Sequence, residues 1–281
     1  MTQCYLNGEF LALDQAKISV LDRGFLLGDG VYEVIPAYHG KLFRLQDHLK
    51  RLQNSLHGIR LKNPLSTEQW SDVLQKLVNQ NNPEEDQSVY LQVTRGVAKR
   101  DHAFPENTAA TVFAMSNPIK YPTPDVIQNG VAAITLQDNR WLRCHIKAIA
   151  LLPNVLLRQQ AVDEGVDEAI LLRDGLVTEG AASNVFVVKN NTICTPPQSP
   201  DLLPGITRDV VLELARSNDL YIHECPISEA ELITADEIWL SSSTKEVLAV
   251  TELNKKKVGD GKPGAVWKTI SSLYKAYKEK L

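Results

Sequence analysis

The stretch NPIKYPTPDVIQNG, residues 117–130, carries three prolines and sustains neither the two-residue period of a strand nor the 3.6-residue period of a helix. It predicts a linker over 118–129. A smaller N-terminal α/β domain, 1–117, would precede it, and a larger C-terminal domain, 130–281, would follow.

Upstream of this break, CYLNGEFLAL (4–13) reads as a hairpin turned at Asn7-Gly8, and GVYEVIPAYHGKLFRL (30–45) repeats the pattern around Gly40. The period then changes. Leu45, Leu49, Leu52, Leu56 and Ile59 form an apolar stripe at alternating spacings of four and three, which predicts a helix. Ser66 opens a second helix, with Gln69 placed for a capping box. SVYLQVTRG (88–96) and TAATVFAMS (108–116) read as strands.

Downstream, GVAAIT (130–135) is a strand, and Pro153 fits the first turn of a helix that runs to about Glu164, ahead of Gly165. Strand pairs turn at Asp174-Gly175 and Asn190-Asn191, and GITRDVVLELARSND (205–219) is a helix. YIHECP (221–226) and EIWLSSS (237–243) are strands with a short helix between them. The tail helix should place Val266, Ile270, Leu273 and Tyr277 on one side. The whole is an α+β chain in two parts.

Composition narrows the classes. In 281 residues, 43% are hydrophobic and 23% charged, which suits a folded globular protein. A formal charge of −4 gives no general attraction to nucleic acid or anionic membrane. Cys4, Cys144, Cys194 and Cys225 form no CxxC pair, which favours a reducing, cytoplasmic setting over a zinc knuckle or redox dithiol. No signal peptide and no apolar run long enough to span a bilayer is expected. No HExxH, P-loop, GxSxG or dinucleotide fingerprint occurs, and no metal is expected.

Several local features carry chemistry. Lys147 lies within the largely apolar run IKAIALL, and Pro153 sets it apart from the following helix. A lysine amine in apolar surroundings can serve as a nucleophile toward carbonyls. His48 and Arg51, three residues apart, share one side of the first helix. LLPGITRD (202–209) places a Pro-Gly turn before a helix, whose free N–H groups suit an anion, and Thr207 adds a hydroxyl. SSSTKE (241–246) supplies hydroxyls at a strand end. TRGVAKRDHAFPEN (94–107) gathers Arg95, Arg100 and His102 in one loop, suited to a carboxylate. Glu179 ends a strand before small residues. Each feature by itself also fits an ordinary surface lysine, helix start, solvated loop or strand end.

Taken in order, DRGFLLGDGVYE, HLKRL, the Lys147 segment, TEGAASNVFVV, LLPGITRD and SSSTKE resemble the fold-type IV pyridoxal phosphate enzymes, the class-IV aminotransferases, over nearly the whole chain. QVTRGVAKRDHAFPEN and RWLRCHIKAIALL most resemble the family's D-amino-acid aminotransferase branch. The resemblance implies a two-domain fold and pyridoxal 5'-phosphate bound covalently at Lys147. It implies that Glu179 pairs with the pyridine nitrogen. Arg51, Ile206, Thr207 and Thr244 would hold the phosphate, with His48 beside Arg51. Tyr32, Arg100 and His102 would receive the substrate α-carboxylate, the arginine-histidine loop coming from a second subunit of a homodimer. The substrates would be a D-amino acid and a 2-oxo acid. Sibling activities are branched-chain L-amino-acid transamination and aminodeoxychorismate lysis, and a silent binding protein of the same fold is the reading from another class. Where family members carry serines, this chain has Ala181 and Ala182, so fewer hydrogen bonds to the cofactor are expected there. Ile35 and Leu203 are expected to make the pocket partly apolar.

Overall fold

The computed structural model describes residues 2–281. The chain forms two compact units: residues up to Lys120 with Ile146–Leu151 and Leu281, and Tyr121–His145 with Leu152–Lys280.

In the first unit β1 (Gln3–Leu6) and β2 (Glu9–Ala12) form the expected hairpin. Asn7 and Gly8 turn it with positive φ. A one-turn 3-10 helix at Leu13–Gln15 and a short helix α1 (Arg23–Leu27) follow; the sequence reading has neither. Asp22 caps α1 by accepting from the Gly24 amide at 2.7 Å. The next hairpin is β3 (Gly30–Tyr38) with β4 (Lys41–Leu42). Helices α2 (Leu45–Gly58) and α3 (Thr67–Asn81) come next, and Ser66 and Gln69 make the capping box of α3. Strands β5 (Gln87–Thr94) and β6 (Thr111–Pro118) complete an antiparallel sheet in the order β2-β1-β6-β5-β3-β4. Leu49, Leu52 and Leu56 of α2 and Trp70, Leu74 and Leu77 of α3 pack into one core with Val31, Ile35 and Ala37 of β3. Ile35 is fully buried there, so it is a core residue and not the pocket-lining residue expected.

The second unit begins with α4 (Pro124–Asn129), capped by Thr123 with Pro124 in its first turn. Of the three prolines in the expected linker stretch, Pro118 ends β6 and Pro124 starts this helix. Strand β7 (Val131–Gln137) leads to the irregular connection that holds Lys147, then to α5 (Leu152–Asp163). Segment Ile146–Leu151, which includes Lys147, groups with the first unit, although it lies beyond residue 130 in the chain. Hairpin β8 (Glu168–Arg173) and β9 (Leu176–Gly180) turns at Asp174-Gly175, and β10 (Asn184–Lys189) and β11 (Thr192–Thr195) at Asn190-Asn191, all with positive φ. Then come α6 (Ile206–Ser217), β12 (Ile222–Glu224), α7 (Glu229–Ile233) and β13 (Glu237–Ser242). Strand β14 (Glu246–Leu253), which the sequence reading omits, sits between β13 and β7, and short β15 (Lys256–Lys257) pairs with it. The mixed sheet runs β12-β11-β10-β13-β14-β7-β8-β9.

Helix α8 (Ala265–Lys278) closes the chain, rotated from the expected face. It buries Trp267, Ile270 and Tyr274. Glu237 Oε2 accepts from the Trp267 amide at 2.8 Å, and the Trp267 indole donates to the Val247 carbonyl at 3.3 Å. The indole contact and the larger apolar surface favour burial of Trp267 over Val266, whose own amide donates to Glu237 Oε1 at 2.9 Å.

Candidate active site

In the first unit the alternation of β3 turns Val31, Glu33 and Ile35 toward the helices. Glu33 meets α2 where the leucine stripe gives way to His48 and Arg51. Arg51 Nε donates to Glu33 Oε1 at 2.7 Å and Nη2 to Oε2 at 2.7 Å, while His48 Nδ1 lies 2.8 Å from Oε2. Glu33, His48 and Arg51 are buried. Burial alone would raise the Glu33 carboxyl, but the charge and hydrogen bonds of Arg51, aided by His48, hold it far below the usual carboxylate range. Burial lowers the His48 imidazole, and the nearby charges of Arg51 and Lys147 add to this against the opposing pull of Glu33. A neutral ring with hydrogen on Nδ1 satisfies that contact.

Lys147 sits in the connection after β7, beside the bridge Val31↔Ala148. Its carbonyl accepts from the Tyr32 amide at 3.0 Å and its own amide donates to Ser55 Oγ at 3.1 Å, which tie its backbone to β3 and α2. Its Nζ lies 4.2 Å from the centre of the Tyr32 ring. Tyr32 also stacks on Tyr90 at 5.7 Å. Tyr32, His48, Arg51 and Lys147 are thus gathered around two neighbouring residues of β3. Arg100 and His102 are in the loop between β5 and β6 of the same unit, and both are exposed.

In the second unit Glu179, at the end of β9, is buried. Its Oε1 accepts from Arg140, and its Oε2 accepts from the Leu203 amide at 3.0 Å and from Asn184 Nδ2 at 3.3 Å. Arg140 is also bound by Asp138, through Nε at 2.9 Å and Nη2 at 2.8 Å. Burial opposes the charge on Arg140, yet Asp138 and Glu179 outweigh it and hold the guanidinium protonated. Asn184 Nδ2 donates as well to the Leu203 carbonyl at 2.9 Å.

These contacts fix the chain that enters α6. A Cβ on Gly205 would come within 1.9 Å of Asn184 Oδ1, so glycine lets the helix start approach Asn184. No side chain caps α6, and Ile206 and Thr207 occupy its first turn, buried. Ser241, paired in register with Asn184, has a buried hydroxyl without a hydrogen-bond partner. Thr244 lies in the turn between β13 and β14. An uncapped helix start and an orphaned hydroxyl suit a phosphate, and Glu179, anchored on Arg140, suits a basic ring nitrogen. Ala181 is buried, with its amide tied to the Ala169 carbonyl, whereas Ala182 is exposed.

Glu33, Arg140, Asp138 and Asn184 escape the sequence reading. Glu33 had a signal, an acid at an inward position between Val31 and Ile35; the other three lie in irregular segments or at a strand start. Among the described residues, no helix is long and apolar enough to cross a membrane.

The Amino-transferase class IV profile matches residues 30–253, and the chain belongs to that family, a class of pyridoxal-phosphate-dependent aminotransferases acting on amino and 2-oxo acids. Among individual proteins, it is 42% identical over 266 residues to a D-alanine aminotransferase of Bacillus licheniformis, spanning 95% of this chain and 93% of the relative. A D-alanine aminotransferase of Staphylococcus haemolyticus is 40% identical over 99% of both chains. Among solved structures, a branched-chain amino acid aminotransferase of Escherichia coli superposes with a TM-score of 0.92 at 25% identity, covering 98% of this chain and 94% of that one.

Proposed function

We propose that this enzyme transfers the amino group between a D-amino acid such as D-alanine and a 2-oxo acid, 2-oxoglutarate or pyruvate. The observation that carries this reading is the near full-length likeness to D-alanine aminotransferases, stronger in sequence than the likeness to the solved branched-chain enzyme.

The residues divide the work. Pyridoxal 5'-phosphate, bound through its aldehyde, supplies an electron sink for bond breaking at the substrate α-carbon. Lys147 Nζ would anchor that aldehyde and, once the substrate amine has displaced it, would be the base that moves the α-proton, because it stays tethered beside the reacting carbon. The Tyr32 ring, 4.2 Å from Nζ, limits where the amine can sit. Glu179, fixed by Arg140 and the Leu203 amide, holds a proton on the ring nitrogen. Ile206 and Thr207 offer the α6 start to the phosphate, Thr244 adds a hydroxyl, and Arg51 adds positive charge while Glu33 and His48 fix its orientation. Tyr32, Arg100 and His102 bind the α-carboxylate, with the Arg100–His102 loop supplied by the second subunit of a homodimer whose active sites lie near the subunit interface. The four free thiols are consistent with work in the cytoplasm.

The structural likeness to the branched-chain enzyme favours one second reading, transamination of L-leucine or L-valine. Replacing Lys147 by alanine tests the assignment that both readings share. The variant should lose the visible absorbance of covalently bound cofactor and nearly all turnover. Retained absorbance with normal turnover would remove Lys147 from its role.

A further inference from the structure

The loop that carries Arg100 and His102 is long, exposed at its tip and without regular structure, yet a carboxylate receptor has to be held in place. What holds it lies underneath. Asp29, in the bend between α1 and β3, binds two arginines at once. Its Oδ2 accepts from Arg23 Nε at 2.8 Å and from Arg95 Nε at 2.8 Å, and its Oδ1 accepts from Arg95 Nη2 at 3.0 Å. Both arginines are buried, 2% and 6% exposed, and so are committed to this contact. Burial alone would raise the Asp29 carboxyl; Arg95 and Arg23 more than offset it and keep the aspartate ionised.

Each arginine then reaches the loop. Arg23 Nη1 donates to the carbonyl of Asp101 at 2.6 Å, on the residue between Arg100 and His102. The Arg95 guanidinium stacks on Phe104, 3.8 Å from the ring centre, on the far side of His102. Its Nη2 also donates to the Ile59 carbonyl at 2.7 Å, just past the end of α2, the helix that carries His48 and Arg51. The loop's root is fixed too: the Arg23 amide donates to the Gly96 carbonyl at 2.9 Å, and Asp22 bridges Val97.

We infer that Asp29 is a positioning residue for substrate recognition: through Arg23 and Arg95 it sets the Arg100–His102 loop in the geometry that receives the substrate carboxylate. The inference rests on the proposed role of that loop. Its consequence is selective. Loosening the clamp weakens the grip on the carboxylate and leaves Lys147 and Glu179 untouched.

The test uses holoenzyme carrying Asp29→Asn. KM for D-alanine should rise about tenfold or more while kcat stays within about threefold, the pattern of lost binding common to ground and transition states. The single-turnover reaction with D-alaninol, which lacks the carboxylate, should match wild type. Arg23→Lys keeps a charge opposite Asp29 but loses the fork that reaches Asp101; it should raise KM in the same way, and it carries the test should Asp29→Asn fail to fold. Arg100→Ala separates the two ideas. If Arg100→Ala raises KM and neither clamp variant does, the clamp is wrong and the loop's role stands. If Arg100→Ala leaves KM unchanged, the loop's role fails and takes the clamp with it. Equal loss of kcat and of D-alaninol reactivity in the clamp variants would mark Asp29 as merely structural and overturn the inference.

Discussion

His48 and Lys147 show how differently single residues disclose themselves. Lys147 was readable because Pro153 separates it from the helix that follows, and the structure does place it in a connection, tied by its backbone to β3 and α2. His48 was readable only as a neighbour of Arg51 on one helix face. Its buried bond to Glu33 depends on how β3 packs against α2, which local periodicity does not contain. That burial has a pH consequence. With its folded pKa lowered, His48 binds fewer protons in the native state than in the unfolded chain, so stability falls as pH drops below the ordinary histidine value of about 6.5. Glu33, also lowered, loses its contribution only at more acid pH, below the usual carboxylate range. His48→Gln can keep a hydrogen bond to Glu33 without titrating. Urea midpoints of cofactor-free protein should therefore decline less between pH 7 and 5 in the variant than in wild type. Equal slopes would mean that His48 takes up protons alike in both states.

At the scale of elements, regular periods were legible and interrupted ones were not. The stripe of α2, the capping box of α3 and the paired turns at Asp174-Gly175 and Asn190-Asn191 need only local chemistry. Helix α4 hid because the prolines around its start resemble linker composition, although Pro124 in a first turn is compatible with a helix. Strand β14 hid behind the hydroxyl-rich turn before it. The start of α6 is the element most exposed to a single change. Asn184 is already engaged by Glu179 and the Leu203 carbonyl, so it cannot yield to a new methyl group at Gly205. Gly205→Ala should cost about 1–3 kcal/mol of stability through overpacking. It should also weaken retention of pyridoxal phosphate on dialysis. A variant that keeps both stability and cofactor would show that this helix start is not held against Asn184.

At the scale of the whole molecule, the periodicities indicated an α+β chain and the ordered motifs resembled the class-IV aminotransferases, and the matched family agrees. The division of the chain was less legible. A sequence reading assumes that each body is one continuous stretch, whereas Ile146–Leu151 returns to the first unit from within the second. Lys147 travels with that short segment, and what fixes it there is pairing with β3, distant in sequence. Substrate handedness is a property of the assembled site and is the claim on which the account stands. Purified holoenzyme given 2-oxoglutarate should transaminate D-alanine readily and leave L-leucine and L-valine essentially unreacted. Turnover of the L-amino acids with D-alanine inert would contradict the account and establish the branched-chain reading in its place.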